Sequence, residues 1–123
     1  MAPTVGPYSP IVRAGEWLVC SGQLGLADGS IVPGGLAAQL TQAVRNLAAL
    51  LEGEGSGLFD VVKTTVFLTD MADFAAMNDA YVAAFGDNRP ARSAFAVVGL
   101  PLGALVEIEA WAHMSRSPAS PVG

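Results

Sequence analysis

Arg92, Glu107 and Glu109 are the residues of this sequence whose types and placement suit chemistry. Arg92 lies in Pro90-Ala91-Arg92-Ser93, beside an apolar strand-like segment rather than in a polar loop. Glu107 and Glu109 alternate with Val106, Ile108 and Ala110, so on an extended strand both carboxylates share one face. A guanidinium presents a planar fork of donors that matches a carboxylate through two parallel hydrogen bonds. An enclosed carboxylate needs a cation or a proton. Two readings follow and the residues alone leave both open. Arg92 forms a structural ion pair with Glu107 or Glu109 at an interface, or it faces a cleft and holds the carboxylate of a ligand. In the second case a glutamate whose pKa is raised by burial serves as general acid or base.

Other polar residues carry less. Tyr8 is the one large side chain of the proline-rich lead-in Met1 to Pro10, as a packing anchor or as a phenol at the mouth of a site. Asn78 falls at the edge of a helical stripe, where a solvated border residue is the ordinary outcome. Cys20, the single cysteine, lies in an apolar strand segment and reads as a small buried hydrophobe, and no internal disulfide is possible. His113 is the only histidine, so a histidine metal site is not expected and no zinc spacing occurs, and with no serine in a nucleophile-elbow context a Ser-His-Asp triad is not expected either. Gly53, Gly55 and Gly57 are not followed by the lysine of a phosphate-binding loop and read as a helix stop. The net charge of −5 argues against a phosphate-backbone binder, so no nucleic-acid partner is expected. The N-terminus has no signal-peptide pattern and no apolar run reaches the length of a membrane span, which makes a soluble cytoplasmic protein with no membrane partner the expectation. Any catalysis is expected to be free of cofactors and metals and to act on a small anionic molecule.

These groups need elements to hold them. At 123 residues the chain is expected to form one domain, 1–123, with a frayed tail from Ser115 to Gly123. Ile11-Val12-Arg13 and Trp17 to Ser21 around Ala14-Gly15-Glu16 read as a hairpin, ended by Gly22-Gln23. Asp28-Gly29 reads as a tight turn before Ile31-Val32. Leu36, Leu40, Val44, Leu47 and Leu51 fall on one helical stripe, with Gln39, Gln42, Arg45 and Asn46 off it. Val61 to Thr69 is a β-branched strand. Asp70 caps a second helix whose buried stripe is Phe74, Met77, Tyr81 and Phe85, and Gly86 ends it. Ser93 to Val98 is a strand that places Arg92 at the start of a neighbour to the last strand, Leu105 to Met114. The order predicts an α+β fold, an α/β sandwich with two helices on one face of a mixed sheet. The other face carries Trp17, Val19 and Trp111 with Glu107 and Glu109. Only 14% of the residues are charged, against roughly a quarter in an average domain, and that face is expected to pack against other subunits.

Several segments in order resemble the Rid family, the reactive-intermediate deaminases also called the YjgF family, and within it the Rid A type. They are Gly6-Pro7-Tyr8-Ser9, Ser21-Gly22-Gln23, Val62 to Leu68 followed by Asp70, Asn78-Asp79-Ala80-Tyr81, and Pro90-Ala91-Arg92-Ser93 with Val106-Glu107-Ile108-Glu109-Ala110. The resemblance implies a chorismate-mutase-like fold and a homotrimer with sheets inside, helices outside and clefts between subunits. It implies hydrolysis of enamines and imines such as 2-aminoacrylate to 2-oxo acids and ammonia. By motif matching, Arg92 is the ligand for the substrate carboxylate and Glu107, not Glu109, is the catalytic glutamate. Tyr8, Ser21 and Asn78 match polar cleft positions, and backbone groups around Ala94 help hold substrate or water. Ala94 departs from the cysteine that many members carry there, and Leu24-Gly25-Leu26 departs from a more polar loop. The alternative is a non-catalytic trimer that binds small carboxylates or a protein partner.

Overall fold

A computed structural model describes residues 6–116. The hairpin forms as β1, Ile11–Ala14, and β2, Trp17–Leu24, turning at Gly15, whose φ of 62° suits glycine. A second small hairpin joins β3, Leu26–Ala27, to β4, Ser30–Ile31. Its central residues Asp28 and Gly29 both have left-handed φ, 54° and 80°, the geometry of a two-residue turn that follows strand twist. Helix α1, Gly35–Glu52, buries all five residues of the expected stripe. It also buries Gln39, contrary to the periodicity reading, because the Gln39 amide oxygen accepts the Leu105 N–H at 2.9 Å and so satisfies a backbone donor at the entry to the last strand.

Strand β5, Val61–Leu68, leads to Asp70, whose carboxylate accepts the Ala72 N–H at 2.9 Å and caps a short 3₁₀ turn ahead of helix α2, Phe74–Phe85. Strand β6 spans Ala91–Ala96 rather than Ser93 to Val98, and strand β7 spans Val106–His113. The five long strands form one mixed sheet in the order β1-β2-β7-β5-β6. Only β5 and β6 run parallel, joined across α2, and the other pairings are antiparallel. Both helices contribute to the single core against one sheet face, where Leu18, Val66, Leu68, Val106, Ile108, Ala110 and Ala112 meet Leu40, Leu47, Met77 and Phe85.

Two expectations change here. Gly22-Gln23 does not end β2, because the register slips between Cys20 and Gln23 and the strand continues to Leu24 past a bulge. Strand β6 is not the neighbour of β7, since β5 lies between them, and β6 forms an edge of the sheet. Among the described residues no helix is long and apolar enough to cross a membrane. Met1 to Val5 of the lead-in and most of the expected tail, 117–123, lie outside the described residues.

Candidate active site

Glu107 is built into the open sheet face by alternation along β7, with Phe67 of β5 and Leu24 of β2 as its register partners. The bulge in β2 sets Ser21-Gly22 beside it. A Cβ on Gly22 would overlap the Glu107 carboxylate, so the glutamate lies flat against bare backbone. Glu107 is half-buried, and burial foremost, then the charge of Glu109, push its pKa above the ordinary carboxylate range. The Ser21 hydroxyl donates to the Ser9 carbonyl at 2.7 Å and the Ser21 N–H donates to the Pro10 carbonyl at 2.9 Å. These bonds pin the lead-in against the bulge and hold the chain of Tyr8, an exposed side chain, next to Ser21. The Gln23 amide donates to the Ser21 carbonyl at 3.0 Å and stiffens the same turn.

Arg92 belongs to a second group. It pairs in register with Thr64 of β5, whose side chain is fully buried on the helix side of the sheet. Its guanidinium carbon stands 4.9 Å from the Tyr81 ring centroid and 5.7 Å from that of Phe74, and Nη1 lies 3.6 Å from the Met77 sulfur. Among the described residues no carboxylate reaches ion-pair distance of it. Asn78 shares this face of α2 by helical spacing, and its side-chain oxygen is buried without a hydrogen-bond partner. Ala94, two residues on from Arg92, is half-buried against the core at the sheet edge.

The sequence-predicted residues therefore fall into two clusters. Glu107 and Ser21 gather on the open face, with the Tyr8 segment tied to them. Arg92, Asn78 and Ala94 gather on the helix side of the β6 edge. Within one chain, Arg92 meets neither Glu107 nor Glu109, and the expectation of a neighbouring strand is corrected by the sheet order. Three residues escaped the site reading. Gly22 was visible only as part of a motif, since a glycine states no contact. Thr64 and Tyr81 read as strand and helix core, and the hydrogen bond between them crosses from α2 to β5. Among the described residues no group of three His, Cys, Asp or Glu side chains is placed to hold a metal ion. A groove of about 370 Å³ on α1, lined by residues including Pro33, Thr41 and Arg45, shares no residue with either cluster.

The sequence profile of the family described as Endoribonuclease L-PSP matches residues 1–114. A RutC family protein of Pyrococcus horikoshii is 45% identical over 111 residues, covering 89% of this chain and 88% of that protein. The mouse 2-iminobutanoate/2-iminopropanoate deaminase is 44% identical over 108 residues, covering 86% of this chain and 80% of its own length. The crystal structure of RidA from an Antarctic Psychrobacter superposes with a TM-score of 0.87 at 41% identity, covering 90% of this chain and 91% of that one. By profile, sequence and fold together, this chain belongs to the Endoribonuclease L-PSP family, the YjgF or Rid family.

Proposed function

We propose that this chain is a cofactor-free imine and enamine deaminase acting on small 2-imino acids, with a site completed between subunits of a homotrimer. The observation that carries the reading is Arg92, a half-buried guanidinium with no carboxylate partner among the described residues. A cation held this way is suited to a carboxylate supplied from outside. The mouse relative named as an iminobutanoate and iminopropanoate deaminase supports the substrate class. Arg92 and Asn78 of one subunit would face Glu107, Ser21 and Tyr8 of the next, with backbone groups around Ala94 at the edge of the cleft.

In this reading Arg92 grips the substrate carboxylate and Glu107 handles protons. An enamine such as 2-aminoacrylate first takes a proton on its terminal carbon and becomes the imine. Water then adds to the imine carbon and gives a tetrahedral carbinolamine. The C–N bond breaks, nitrogen leaves as ammonia, and a 2-oxo acid remains. A glutamate that holds its proton above the usual range is suited to donate to carbon or to the departing nitrogen and to take a proton back from water. The uncatalysed reaction also runs in water, so orientation and proton delivery are sufficient catalysis. The matching family is named for an endoribonuclease, but six Lys and Arg against eleven Asp and Glu, a net charge of −5, argue against a phosphate-backbone binder.

The test couples the protein to a dehydratase that releases aminoacrylate and follows 2-oxo acid formation. Wild type accelerates release, and Arg92→Ala abolishes the gain. Glu107→Gln keeps 2-oxo acid binding while turnover falls by roughly 10²-fold or more, the range for a general acid or base. No acceleration by wild type with small or bulky imino acids would sink the reading.

A further inference from the structure

Most basic side chains whose contacts are seen are occupied by their own chain. Arg13 pairs with Glu54 at 3.6 Å and donates to the Glu54 carbonyl. Arg89 donates to the carbonyls of Gly86 and Asn88 beyond the end of α2, and Lys63 donates to the Ser93 hydroxyl at 2.8 Å. Arg92 differs in kind. Its surroundings are two aromatic faces and a thioether. A ring face attracts a cation through its quadrupole but takes up no N–H donor in the plane of the fork. The side chain is thus held by groups that leave its charge unneutralised.

The nearer ring, Tyr81, is itself fixed at two points. It stacks on Phe85 with centroids 4.6 Å apart and planes 29° from parallel. Its hydroxyl shares a 2.7 Å hydrogen bond with the Thr64 hydroxyl, and both residues are buried. Thr64 is the register partner of Arg92 across the parallel β5–β6 pair. One pair of strands therefore sets both the arginine and the anchor for the ring that faces it. Burial holds the phenol above its usual pKa, against the smaller opposite pull of the Thr64 bond and of Arg92 and Arg89, so Tyr81 serves as a neutral ring rather than as an acid.

We propose that Tyr81, locked by Thr64, is a positioning residue for Arg92, holding the guanidinium on an aromatic shelf so that its full charge, and the donors beyond the one Nη1 gives to the Met77 sulfur, remain for the carboxylate of a 2-imino or 2-oxo acid. This rests on Arg92 being the carboxylate ligand. It adds a pair of residues, neither touching substrate, on which carboxylate affinity depends.

The test reads 2-oxobutanoate affinity by calorimetry, alongside thermal melting and the coupled turnover assay. Tyr81→Leu removes the ring face and is expected to weaken binding and raise KM about 10-fold, with kcat within about 2-fold. Tyr81→Phe keeps the ring and breaks the lock, as does Thr64→Val from the other side. Each is expected to weaken binding about 3-fold, the double variant no further than either single one, and Thr64→Ser to restore wild-type affinity. If Tyr81→Leu does not fold, the two lock variants and the serine rescue carry the test. The proposal is overturned if folded variants lose melting temperature but keep wild-type affinity, since that is packing alone. It is also overturned if Thr64→Ser fails to rescue, or if Arg92→Ala binds 2-oxobutanoate as wild type does. Binding that follows this pattern without any turnover would support the shelf while refuting deamination, so the two failures are distinct.

Discussion

Glu107 is an ionisable group in surroundings that oppose its ionisation. Its pKa is higher folded than unfolded, so the folded state binds more protons between those two values. Its contribution to stability is therefore fully present below the ordinary carboxylate value, near about pH 4, and is lost as pH rises through the raised value. Glutamine cannot ionise. Glu107→Gln should melt higher than wild type at neutral pH, with the difference closing as the pH is taken below about 4. Calorimetric scans across that range check the sign. The opposite sign at neutral pH would mean an Arg92–Glu107 ion pair across subunits, the structural reading of these residues. Gly22 gives a companion prediction. The nearest atoms a methyl there would meet all belong to the Glu107 side chain, from Cγ to the carboxylate, so Gly22→Ala should displace the carboxylate and cut turnover while the melting temperature moves little. Cys20 lies outside this chemistry, since burial lifts its thiol to about 12.

At the scale of elements, Gly25 has the opposite character to Gly22. A Cβ there would come within 2.5 Å of the Gln39 carbonyl oxygen and 2.6 Å of its Cα, both backbone of α1. A helix cannot yield as a side chain does, so Gly25→Ala should cost about 1–3 kcal/mol in a urea titration. The helices were legible because their apolar residues recur at helical spacing and each has a readable end, Gly53 for α1 and Gly86 for α2. Gln39 was not, because residue type signals polarity and not the partner that makes burial tolerable. The β2 bulge was misread as a stop, since one inserted residue breaks the alternation just as a strand end does. The division of the site was also hidden. Alternation told that Glu107 and Glu109 share a face, but nothing local tells that β5 separates β6 from β7 or that Arg92 turns toward the helices. Those facts belong to pairings distant in sequence.

At the scale of the whole molecule, the described residues leave one sheet face without a layer. Trp17 and Trp111 meet there edge to face at 6.1 Å and are 40% and 46% exposed. Phe67 and Phe95 form a second such pair at 5.4 Å, with the half-buried Glu107 and Glu109 on the same face. Exposed aromatic area of this kind suits subunit contact. In the proposed homotrimer, Trp111→Glu should give monomers by light scattering, with the proposed turnover lost alongside, because in that reading each cleft draws on two chains. A variant of unchanged mass would place the contact elsewhere. Folding should survive, since Trp111 points away from the core that Ala110 and Ala112 complete. The same placement has an optical consequence. Both tryptophans of the chain stand on this face and neither in the core. Intrinsic fluorescence is therefore a gauge of what covers the sheet. On dilution its emission should redden while far-ultraviolet dichroism stays constant, so that the two signals separate assembly from folding in a single unlabelled sample.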